Sequence, residues 1–380
     1  MLKIMLSATE VSGDMHAAHL VKAIKKIYPE AEFIGAGGEQ MRAAGVDVKA
    51  FTTHMGTMGV VEGFKYYPSF LKIKLRMEKL LKEERPDVLI LIDSRDFNLN
   101  LVKPAKKLKI PVVYYFAPQL WAWFDLKMRR ASRRIDKIIA IFPFEEKLYK
   151  KMGADVLWTG HPLLDIARPT MEKEEVFKKF SLNPEKPLIS LLPGSREYEI
   201  KNLLPVMLQA AKNLNKRIKD VQYAIPVAAS VFKEKIMQLV SKSGIEVRVA
   251  DGNIYDFMNI STLVVTASGT AALEAACLDA PMIVMYKAHI TTYILAWILI
   301  KFPYVSLPNI IAEKKIVPEL LQFKAKERYL LKAMLELLES PEKLDAMKRE
   351  LKDVVAKLGP VGATERAAKV VVDVATKRKR

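Results

Sequence analysis

Three acidic residues of the sequence closely follow short apolar segments. Residues 2–8 lead into Glu10 and Asp14, and residues 88–92 lead into Asp93. A carboxylate at the end of a strand can take the proton of an attacking hydroxyl group, which contributes about 10²- to 10⁴-fold to a rate. We therefore predict a catalytic set of Asp93, as the base, with Glu10 and Asp14. Helix capping is the structural alternative for Asp93 and Asp14.

Two loops in the second half of the chain combine a glycine with hydroxyl groups where a helix is expected to begin. Their residues are Gly194, Ser195 and Arg196 in the first loop and Ser268, Gly269, Thr270 and Glu274 in the second. Backbone N–H groups at a helix start attract anions, and an arginine binds phosphate oxygens through charge-assisted hydrogen bonds. The glutamate can accept hydrogen bonds from ribose hydroxyls. These loops predict a nucleoside-diphosphate site, with ordinary turns and close helix packing as the structural alternatives.

The sequence predicts neither a metal site nor a cofactor site. It contains no Asp-X-Asp triplet and no cluster of histidines or cysteines, and His16 and His19 alone would leave a zinc site incomplete. The charge of a departing diphosphate must then be stabilised by Arg196 and by helix N-termini.

Aromatic residues interleaved with basic ones predict contacts with a sugar, an acyl chain or a membrane. Two tryptophans lie in a loop after an apolar segment, and rings alternate with lysines in residues 63–77. The predicted acceptor and lipid contacts are Ser12, Gly13, Phe64, Tyr67, Trp121 and Trp123. Core packing of the rings and a solvated lysine face are the alternatives.

The formal net charge of +18 favours polyanions or anionic lipids as partners. No nucleic-acid-binding motif accompanies this charge, so we expect an anionic membrane surface and no nucleic acid. A solvated lysine-rich surface is the alternative explanation. A homodimer is compatible with the sequence but not indicated by it.

The elements that must position these residues follow the rhythm of two parallel sheets. The predicted strands are residues 2–8, 32–35, 88–93, 111–116 and 137–142, and then residues 188–192, 222–226, 246–249, 262–266 and 282–286. Helices are predicted at about residues 15–27 and 202–218. The fold class is α/β, with two Rossmann-like doubly wound domains facing a cleft, and the predicted site residues lie where parallel sheets bind ligands.

The domain boundary is expected in the proline-containing linker of residues 160–187. Residues 1–165 are predicted to bind the acceptor and residues 166–358 the nucleotide-sugar. The tail is helical from about residue 326, and by analogy its last helix, at about residues 360–380, packs back on the first domain.

Cellular location follows from cysteine usage and hydropathy. Cys277 is the only cysteine, which fits a reducing compartment. The longest apolar stretch, residues 290–300, is about half of what a membrane-spanning helix needs. We expect a cytoplasmic protein.

Taken in order, the motifs of the sequence resemble the lipid-A-disaccharide synthase family. They are residues 10–14 (Glu-Val-Ser-Gly-Asp), 58–62 (Met-Gly-Val-Val-Glu), 92–93 (Ile-Asp), 96–98 (Asp-Phe-Asn), 121–123 (Trp-Ala-Trp), 160–162 (Gly-His-Pro), 192–196 (Leu-Pro-Gly-Ser-Arg), 268–274 (Ser-Gly-Thr-Ala-Ala-Leu-Glu) and 306–309 (Ser-Leu-Pro-Asn). Any one of them is weakly specific, but the ordered series spans most of the chain.

The resemblance implies a GT-B fold and an inverting glycosyl transfer in lipid A biosynthesis. UDP-2,3-diacylglucosamine would donate its sugar to 2,3-diacylglucosamine 1-phosphate (lipid X), giving the β-1,6-linked lipid A disaccharide 1-phosphate and UDP. By position, Asp93 matches the family's base, and Arg196, Glu274, Asn309 and Gln322 match its donor site. Because both substrates are lipids, the resemblance also implies a peripheral position on the inner membrane.

The sequence departs from the family pattern in two places. Thr9 stands where glycine is usual, and Ser94-Arg95 stands where Ala-Pro is usual. Two other functions stay open at this point. The chain could be another UDP-sugar enzyme of the same fold, such as a UDP-N-acetylglucosamine 2-epimerase, or a basic membrane-binding protein without catalysis.

Overall fold

The computed structural model describes residues 2–52, 60–116, 132–227, 230–287 and 303–377, with the backbone alone for residues 60–67 and 230. The chain divides into two compact units. The first contains the chain up to Asp165 and again from Leu358 onward, and the described residues of the second lie between Ile166 and Lys357.

The first unit is built on a parallel sheet. Its strands are β1 (Leu2–Ser7), β2 (Ala31–Gly37), β3 (Asp47–Phe51), β4 (Val88–Ile92), β5 (Val112–Tyr115), β6 (Lys137–Ala140) and β7 (Val156–Trp158). Neighbouring strands follow the order β3-β2-β1-β4-β5-β6-β7, so β4 returns to the side of β1. In the register of that central pair, Ile4 lies opposite Val88.

The second unit has a parallel sheet of its own. Its strands are β8 (Leu188–Leu192), β9 (Gln222–Val227), β10 (Arg248–Asp251), β11 (Leu263–Ala267), β12 (Met282–Tyr286) and β13 (Glu319–Leu321). Their order is β10-β9-β8-β11-β12-β13, so β11 returns to the side of β8.

Helices connect the strands of both sheets. In chain order they are α1 (Val11–Ile27), α2 (Glu39–Ala43), α3 (Val60–Glu84), α4 (Arg95–Lys107), α5 (Pro143–Lys151), α6 (Leu163–Ile166), α7 (Lys173–Lys179), α8 (Glu197–Leu214), α9 (Lys233–Ser243), α10 (Ile254–Ile260), α11 (Thr270–Cys277), α12 (Leu307–Ala312), α13 (Glu327–Leu338), α14 (Pro341–Ala356) and α15 (Ala363–Lys377). Short 3₁₀ turns occupy Ser230–Phe232 and Gln322–Lys324.

Both faces of the first sheet are covered by helices, as an all-parallel sheet requires. Along β1, Ile4 and Leu6 face one core cluster, and Met5 between them faces the other. This alternation is the period of two that a strand imposes on its side chains. Ala367 and Val371 of α15 belong to the same cluster as Ile4. The C-terminal helix therefore completes the core of the first unit.

The prediction of two doubly wound parallel sheets is confirmed, but the sequence does not predict β3, β7 or β13. β7 and β13 have three residues each, and β3 is interrupted by Asp47 and Lys49, so none of them presents an apolar run long enough to be recognised as a strand. Helix α8 begins at Glu197, earlier than the predicted residue 202, and Glu199 in its first turn accepts a hydrogen bond from the backbone N–H of the N-cap residue Arg196.

None of the helices within the described ranges combines the length and the apolar character needed to cross a bilayer.

Candidate active site

Each sheet has one position where the chain reverses the direction in which it adds strands. This switch point lies between β1 and β4 in the first sheet and between β8 and β11 in the second. Ligands of open parallel sheets bind at the carboxyl ends of the strands that flank such a point. Glu10 follows β1 and Asp93 follows β4, whereas Gly194 follows β8 and Gly269 follows β11. The predicted acids therefore share one switch point, and the predicted glycine loops share the other.

The turn after β4 holds two successive residues other than glycine in the left-handed region. The φ angle is +52° at Asp93 and +47° at Ser94. Such conformations cost roughly 1–3 kcal/mol each, persist only where surrounding contacts enforce them, and cluster at functional sites. Ser94 occupies the N-cap position of α4 and makes no capping hydrogen bond with its side chain. The N-cap position considered for Asp93 thus belongs to Ser94.

Buried polar side chains fix the backbone of this turn. The Tyr114 hydroxyl donates to the carbonyl oxygen of Asp93 at 2.6 Å, and the Asn98 amide donates to the same oxygen at 2.9 Å. Asn98 also donates to the carbonyl oxygen of Ile92 at 3.0 Å and accepts from the Ser7 hydroxyl at 2.7 Å. Burial raises the pKa of the Tyr114 phenol, which keeps it protonated as a donor. Because Ser7 ends β1 and Ile92 ends β4, Asn98 joins the ends of the two central strands.

A second link joins the same strand ends. The Thr9 hydroxyl donates to the Ser94 hydroxyl at 2.5 Å, and both residues are buried. These are two of the positions at which the sequence departs from the pattern of the family that it resembles. Glycine at the first position and alanine at the second have no hydroxyl groups, so the departures together create this bond.

The other two predicted acids differ in their surroundings. Glu10 is half-buried at the N-cap position of α1. Asp14 is buried, and its carboxylate accepts hydrogen bonds from the backbone N–H groups of Gly38 at 2.7 Å, Gln40 at 3.0 Å and Met41 at 3.1 Å. Asp14 therefore anchors the start of α2 rather than capping its own helix. Glu10 is left as the second acid at the switch point.

Ser12 and Gly13 lie in the first turn of α1, at the same switch point. A β-carbon added to Gly13 would lie 3.5 Å from the β-carbon of Ala8 and 3.8 Å from Cγ2 of Ile92, which are ordinary contact distances. Close packing therefore does not require a glycine at this position.

In the second unit, Glu199 shapes the loop after β8. Gly194 has a φ of +111°, and a β-carbon there would lie 2.1 Å from Oε2 of Glu199, so the loop requires glycine. Glu199 accepts hydrogen bonds from the Arg196 guanidinium at 3.0 Å and from the Arg196 backbone N–H at 3.3 Å. Ser195 lies between Gly194 and Arg196 in the sequence. Because 40% of the Arg196 side chain stays exposed, the oriented guanidinium can still bind a phosphate.

The loop after β11 leads to a carboxyl group in a desolvated position. Ser268 and Gly269 precede α11, which begins at Thr270 and carries Glu274 one turn later. Burial raises the pKa of the Glu274 carboxyl to about 7. No hydrogen bond or ion pair joins that carboxyl to any other residue in the described part of the chain. A buried carboxyl group with a shifted pKa and no protein partner is typical of a functional position.

Asn309 is held by the protein on every side of its amide. The amide nitrogen donates to the carbonyl oxygen of Val317 at 3.0 Å and to Glu319 at 2.8 Å. The amide oxygen accepts from the backbone N–H groups of Ile316 at 2.8 Å and Val317 at 2.9 Å. The hydrogen-bonding capacity of the side chain is therefore used up inside the protein. This buried residue organises the backbone around it.

Glu319 of β13 ties the same segment to the sheet. Its carboxylate accepts from the Ser306 backbone N–H at 2.8 Å and from the Ser306 hydroxyl at 2.6 Å. Ser268 donates to the carbonyl oxygen of Val305 at 3.5 Å. Gln322, which directly follows β13, is buried with a φ of +47°. Ser268 and Gln322 thus lie at the carboxyl ends of β11 and β13, and the segment of Val305 and Ser306 is hydrogen-bonded to Ser268 and to Glu319.

Comparison with known proteins decides among the enzyme families that use such strand-end loops. The family model of lipid-A-disaccharide synthetase matches residues 4–372. The chain belongs to the lipid-A-disaccharide synthase family. The resemblance seen in the ordered motifs is thereby confirmed, and the chain is a glycosyltransferase of lipid A biosynthesis.

Curated members of the lipid-A-disaccharide synthase family align with the chain over nearly its whole length. The synthase of Geobacter metallireducens is 36% identical over 377 residues, which covers 99% of this chain and 98% of the relative. The synthase of Syntrophus aciditrophicus is 39% identical over 366 residues and covers 96% of each chain.

Solved structures at low identity share the fold. A putative UDP-N-acetylglucosamine 2-epimerase from Listeria monocytogenes superposes with a TM-score of 0.68 at 14% identity, covering 96% of this chain and 94% of its own. The UDP-GlcNAc 2-epimerase from Neisseria meningitidis, solved with UDP-GlcNAc, gives 0.66 at 14% identity and covers 99% of each chain. These likenesses agree with the GT-B fold that membership of the synthase family implies.

Some predicted contacts fall outside the described residues. Trp121 and Trp123 do so entirely, and Phe64 and Tyr67 of α3 do so with their side chains. Within the ranges that are described, no group of three or more His, Cys, Asp or Glu side chains is arranged to hold a metal ion.

Four supporting residues of this synthase-family site escape prediction from the sequence. Asn98, Tyr114 and Glu319 act across neighbouring strands or turns, so their roles depend on which elements are adjacent. Glu199 does carry a signal, because a glutamate three residues after a helix N-cap is typical of a capping box.

Proposed function

We propose that this enzyme transfers the sugar of UDP-2,3-diacylglucosamine to 2,3-diacylglucosamine 1-phosphate (lipid X), with inversion at the anomeric carbon. The products are the lipid A disaccharide 1-phosphate and UDP. The full-length family match carries this proposal. The two switch points support it, because they supply the residue types that the reaction needs.

The first unit, residues 1–165 with α15, binds the acceptor in this proposal. Asp93 takes the proton of the acceptor's 6-hydroxyl group while that oxygen bonds to the anomeric carbon of the donor. Glu10 assists at the same edge, and Ser12 and Gly13 contact the acceptor sugar. The left-handed backbone conformation at Asp93 supports this role, since such strained conformations are concentrated at functional sites.

The second unit, residues 166–358, binds the UDP part of the donor. As the bond between the anomeric carbon and the diphosphate oxygen breaks, Arg196 and the backbone N–H groups near Gly194, Ser195 and Thr270 stabilise the negative charge. Glu274 accepts hydrogen bonds from the ribose hydroxyls, and Gln322 lines the same edge. Because these groups stabilise the charge of the departing UDP, we propose a reaction that needs neither a metal ion nor a cofactor.

The enzyme is also proposed to act in the cytoplasm, docked peripherally on the inner membrane. Helix α3 supports this, because Leu71 and Leu75 are 41% and 54% exposed beside the exposed Lys72 and Arg76. Exposed apolar groups among cations suit an anionic lipid surface. Sedimentation with anionic vesicles tests the association, and a protein that stays in the supernatant would refute it.

Mass spectrometry of the product from the two diacylated substrates tests the proposed reaction. We expect the disaccharide 1-phosphate, and we expect Asp93→Asn to reduce turnover at least 10²-fold because no base remains. The UDP-dependent rise in melting temperature should persist in that variant, since the donor loops are untouched.

Other outcomes would reject the proposal. Equal turnover of UDP-N-acetylglucosamine, without acyl chains, would favour a 2-epimerase. A melting temperature that does not respond to UDP would favour a membrane-binding protein without catalysis. Full turnover by Asp93→Asn would remove Asp93 from the mechanism.

A further inference from the structure

The turn Asp93–Ser94 is tightly constrained at the carboxyl end of β4. Its two left-handed residues are adjacent, and neither is a glycine. A turn of this kind relaxes unless groups outside it hold it in place. Apolar packing cannot provide that hold alone, because it is non-directional, whereas hydrogen bonds fix a carbonyl group in a defined orientation.

Two buried donors fix the carbonyl group of Asp93 from different elements. Tyr114 of β5 and Asn98 of α4 both donate to this one oxygen, at 2.6 Å and 2.9 Å. Both side chains have no exposed surface. A carbonyl oxygen has two lone pairs, so the pair of donors saturates it. With its carbonyl fixed, Asp93 has little freedom to swing its carboxylate by backbone rotation.

Two further links tie this turn to the end of β1. The Thr9 hydroxyl donates to Ser94, and the Ser7 hydroxyl donates to Asn98. The residue after Thr9 is Glu10, the second acid of the switch point. The same hydrogen bonds therefore fix the backbone positions of both acids, Asp93 and Glu10.

We propose that Thr9, Ser94, Asn98 and Tyr114 form a strand-end clamp whose function is to position Asp93 as the base. The proposal rests on the role of Asp93 given above. These four are positioning residues, since their hydrogen bonds run to the backbone and to each other. A base displaced by even a fraction of an ångström loses much of its effect, because proton transfer requires hydrogen-bond distance in the reacting complex.

Tyr114→Phe is the primary test, since it removes one hydroxyl and keeps the buried ring. We expect kcat to fall at least tenfold, while KM for each substrate and the UDP-dependent melting shift stay within twofold of the parent. Tyr223→Phe is the matched control. Its hydroxyl is likewise buried and hydrogen-bonded, to Oδ1 of Asn215 at 2.7 Å and to the carbonyl oxygen of Ala211 at 3.1 Å, but it belongs to β9 of the second unit. Its kcat should not change.

A second test keeps the proposal open to refutation if Tyr114→Phe folds poorly. Thr9→Ala and Ser94→Ala each break the hydroxyl pair, so each should lower kcat, and the double variant should be no worse than either single one. Ser190→Ala with Ser261→Ala is the control. This pair also shares a hydroxyl–hydroxyl bond, at 2.7 Å, away from the switch-point loops. It should leave kcat unchanged.

The outcomes separate the clamp from the mechanism on which it rests. If Asp93→Asn stays fully active, both the base and its clamp are refuted. If Asp93→Asn is inactive while Tyr114→Phe and the Thr9 and Ser94 variants keep kcat within twofold, the clamp alone is refuted. Loss of kcat in step with a raised KM and a lost UDP shift would also refute it, because that pattern reports general damage to the fold.

Discussion

At the level of single residues, burial sets the charge of the group that is proposed to hold the ribose. Glu274 has no hydrogen-bond or ion-pair partner among the described residues, and its pKa is raised to about 7 by desolvation. A carboxylate accepts two ribose hydroxyls only when it is ionised. The site is therefore expected to bind its nucleotide best above neutral pH.

Donor binding should weaken as the pH falls through the pKa of Glu274. Between pH 8 and pH 6 the ionised fraction of a group with a pKa near 7 drops about tenfold, so the donor's Kd should rise by about the same factor. Calorimetric titration of the donor at each pH measures this. Glu274→Gln, which cannot ionise, should bind more weakly and show only the ligand's own pH dependence. Equal pH dependence in the two proteins would contradict the prediction.

The residues that could be predicted from sequence are those whose role follows from their own position in the chain. Asp93 comes directly after an apolar strand and Arg196 lies in the short loop after another, so their place at a sheet edge can be deduced without a structure. Asn98 and Tyr114 cannot be found in this way, because their importance lies in one carbonyl oxygen on a neighbouring turn. Asp14 shows the converse. Its position suits catalysis, but three N–H groups of α2 occupy its carboxylate.

At the level of elements, helix α3 packs on the core with one side and exposes apolar residues on another. Phe70 packs edge-to-face on Phe97 at 5.0 Å between ring centroids, and Met77 is completely buried. Leu71 and Leu75, four residues apart, point away from that core and stay exposed. A helix that only covered the sheet would expose polar residues at those two positions.

Replacing both exposed leucines of α3 should weaken vesicle binding. We expect Leu71→Ser with Leu75→Ser to reduce affinity for anionic vesicles at least tenfold, since inserting a leucine contributes up to about 1.5–3 kcal/mol. Vesicle sedimentation measures the change, with kcat on short-chain substrates as the check of folding. Val231→Ser is the matched control, because Val231 is 80% exposed but belongs to the second unit. Undiminished binding by the double variant would exclude this face.

Strands with a clear apolar pattern could be predicted from sequence, and the two shortest strands could not. β4 and β8 are buried at every residue, so their apolar runs identify them. β7 and β13 have three residues each and bury only part of their surface, which leaves no periodic signal. The hydrogen bonding of Asn309 could therefore not be predicted, because Asn309 donates to Glu319, a residue of the unpredicted β13.

At the level of the whole molecule, the first unit contains buried polar groups that lack partners. Within the described residues these include both ring nitrogens of His16 and the hydroxyl of Thr159. His16 stacks on Phe116 at 4.0 Å. Burial holds the pKa of His16 well below its usual value, and burial lowers that of His161 to about 3. Both histidines are therefore neutral in the folded protein.

Acid should destabilise this protein through those two histidines. Their folded-state pKa values lie below the unfolded value of about 6.5, so the unfolded chain binds more protons below that pH and stability falls as the pH falls. Each should contribute about 1.4 kcal/mol of loss between pH 7.5 and pH 5.5. Glu274, whose folded-state pKa is raised, has the opposite effect on stability. Because Glu274 is the same in a histidine variant and in the parent, its effect cancels when the two proteins are compared.

Urea denaturation of His16→Phe tests this at both pH values. The variant keeps an aromatic ring against Phe116 but cannot take up a proton, so it should lose about 1.4 kcal/mol less stability than the parent over that interval. Parallel losses in the two proteins would show that His16 is not a buried neutral group.

Helix α15 also determines the order in which the protein can fold on the ribosome. Ala367, Val371 and Ala375 complete the core around α1, so the first unit lacks part of its interior until the end of that helix has been synthesised. The described residues of the second unit lie between Ile166 and Lys357 and emerge earlier. Since domains fold as units during translation, the part of the chain made first finishes folding last. During that interval the nascent sheet around β1 exposes apolar side chains that α15 will cover, and such exposed surface is prone to aggregate.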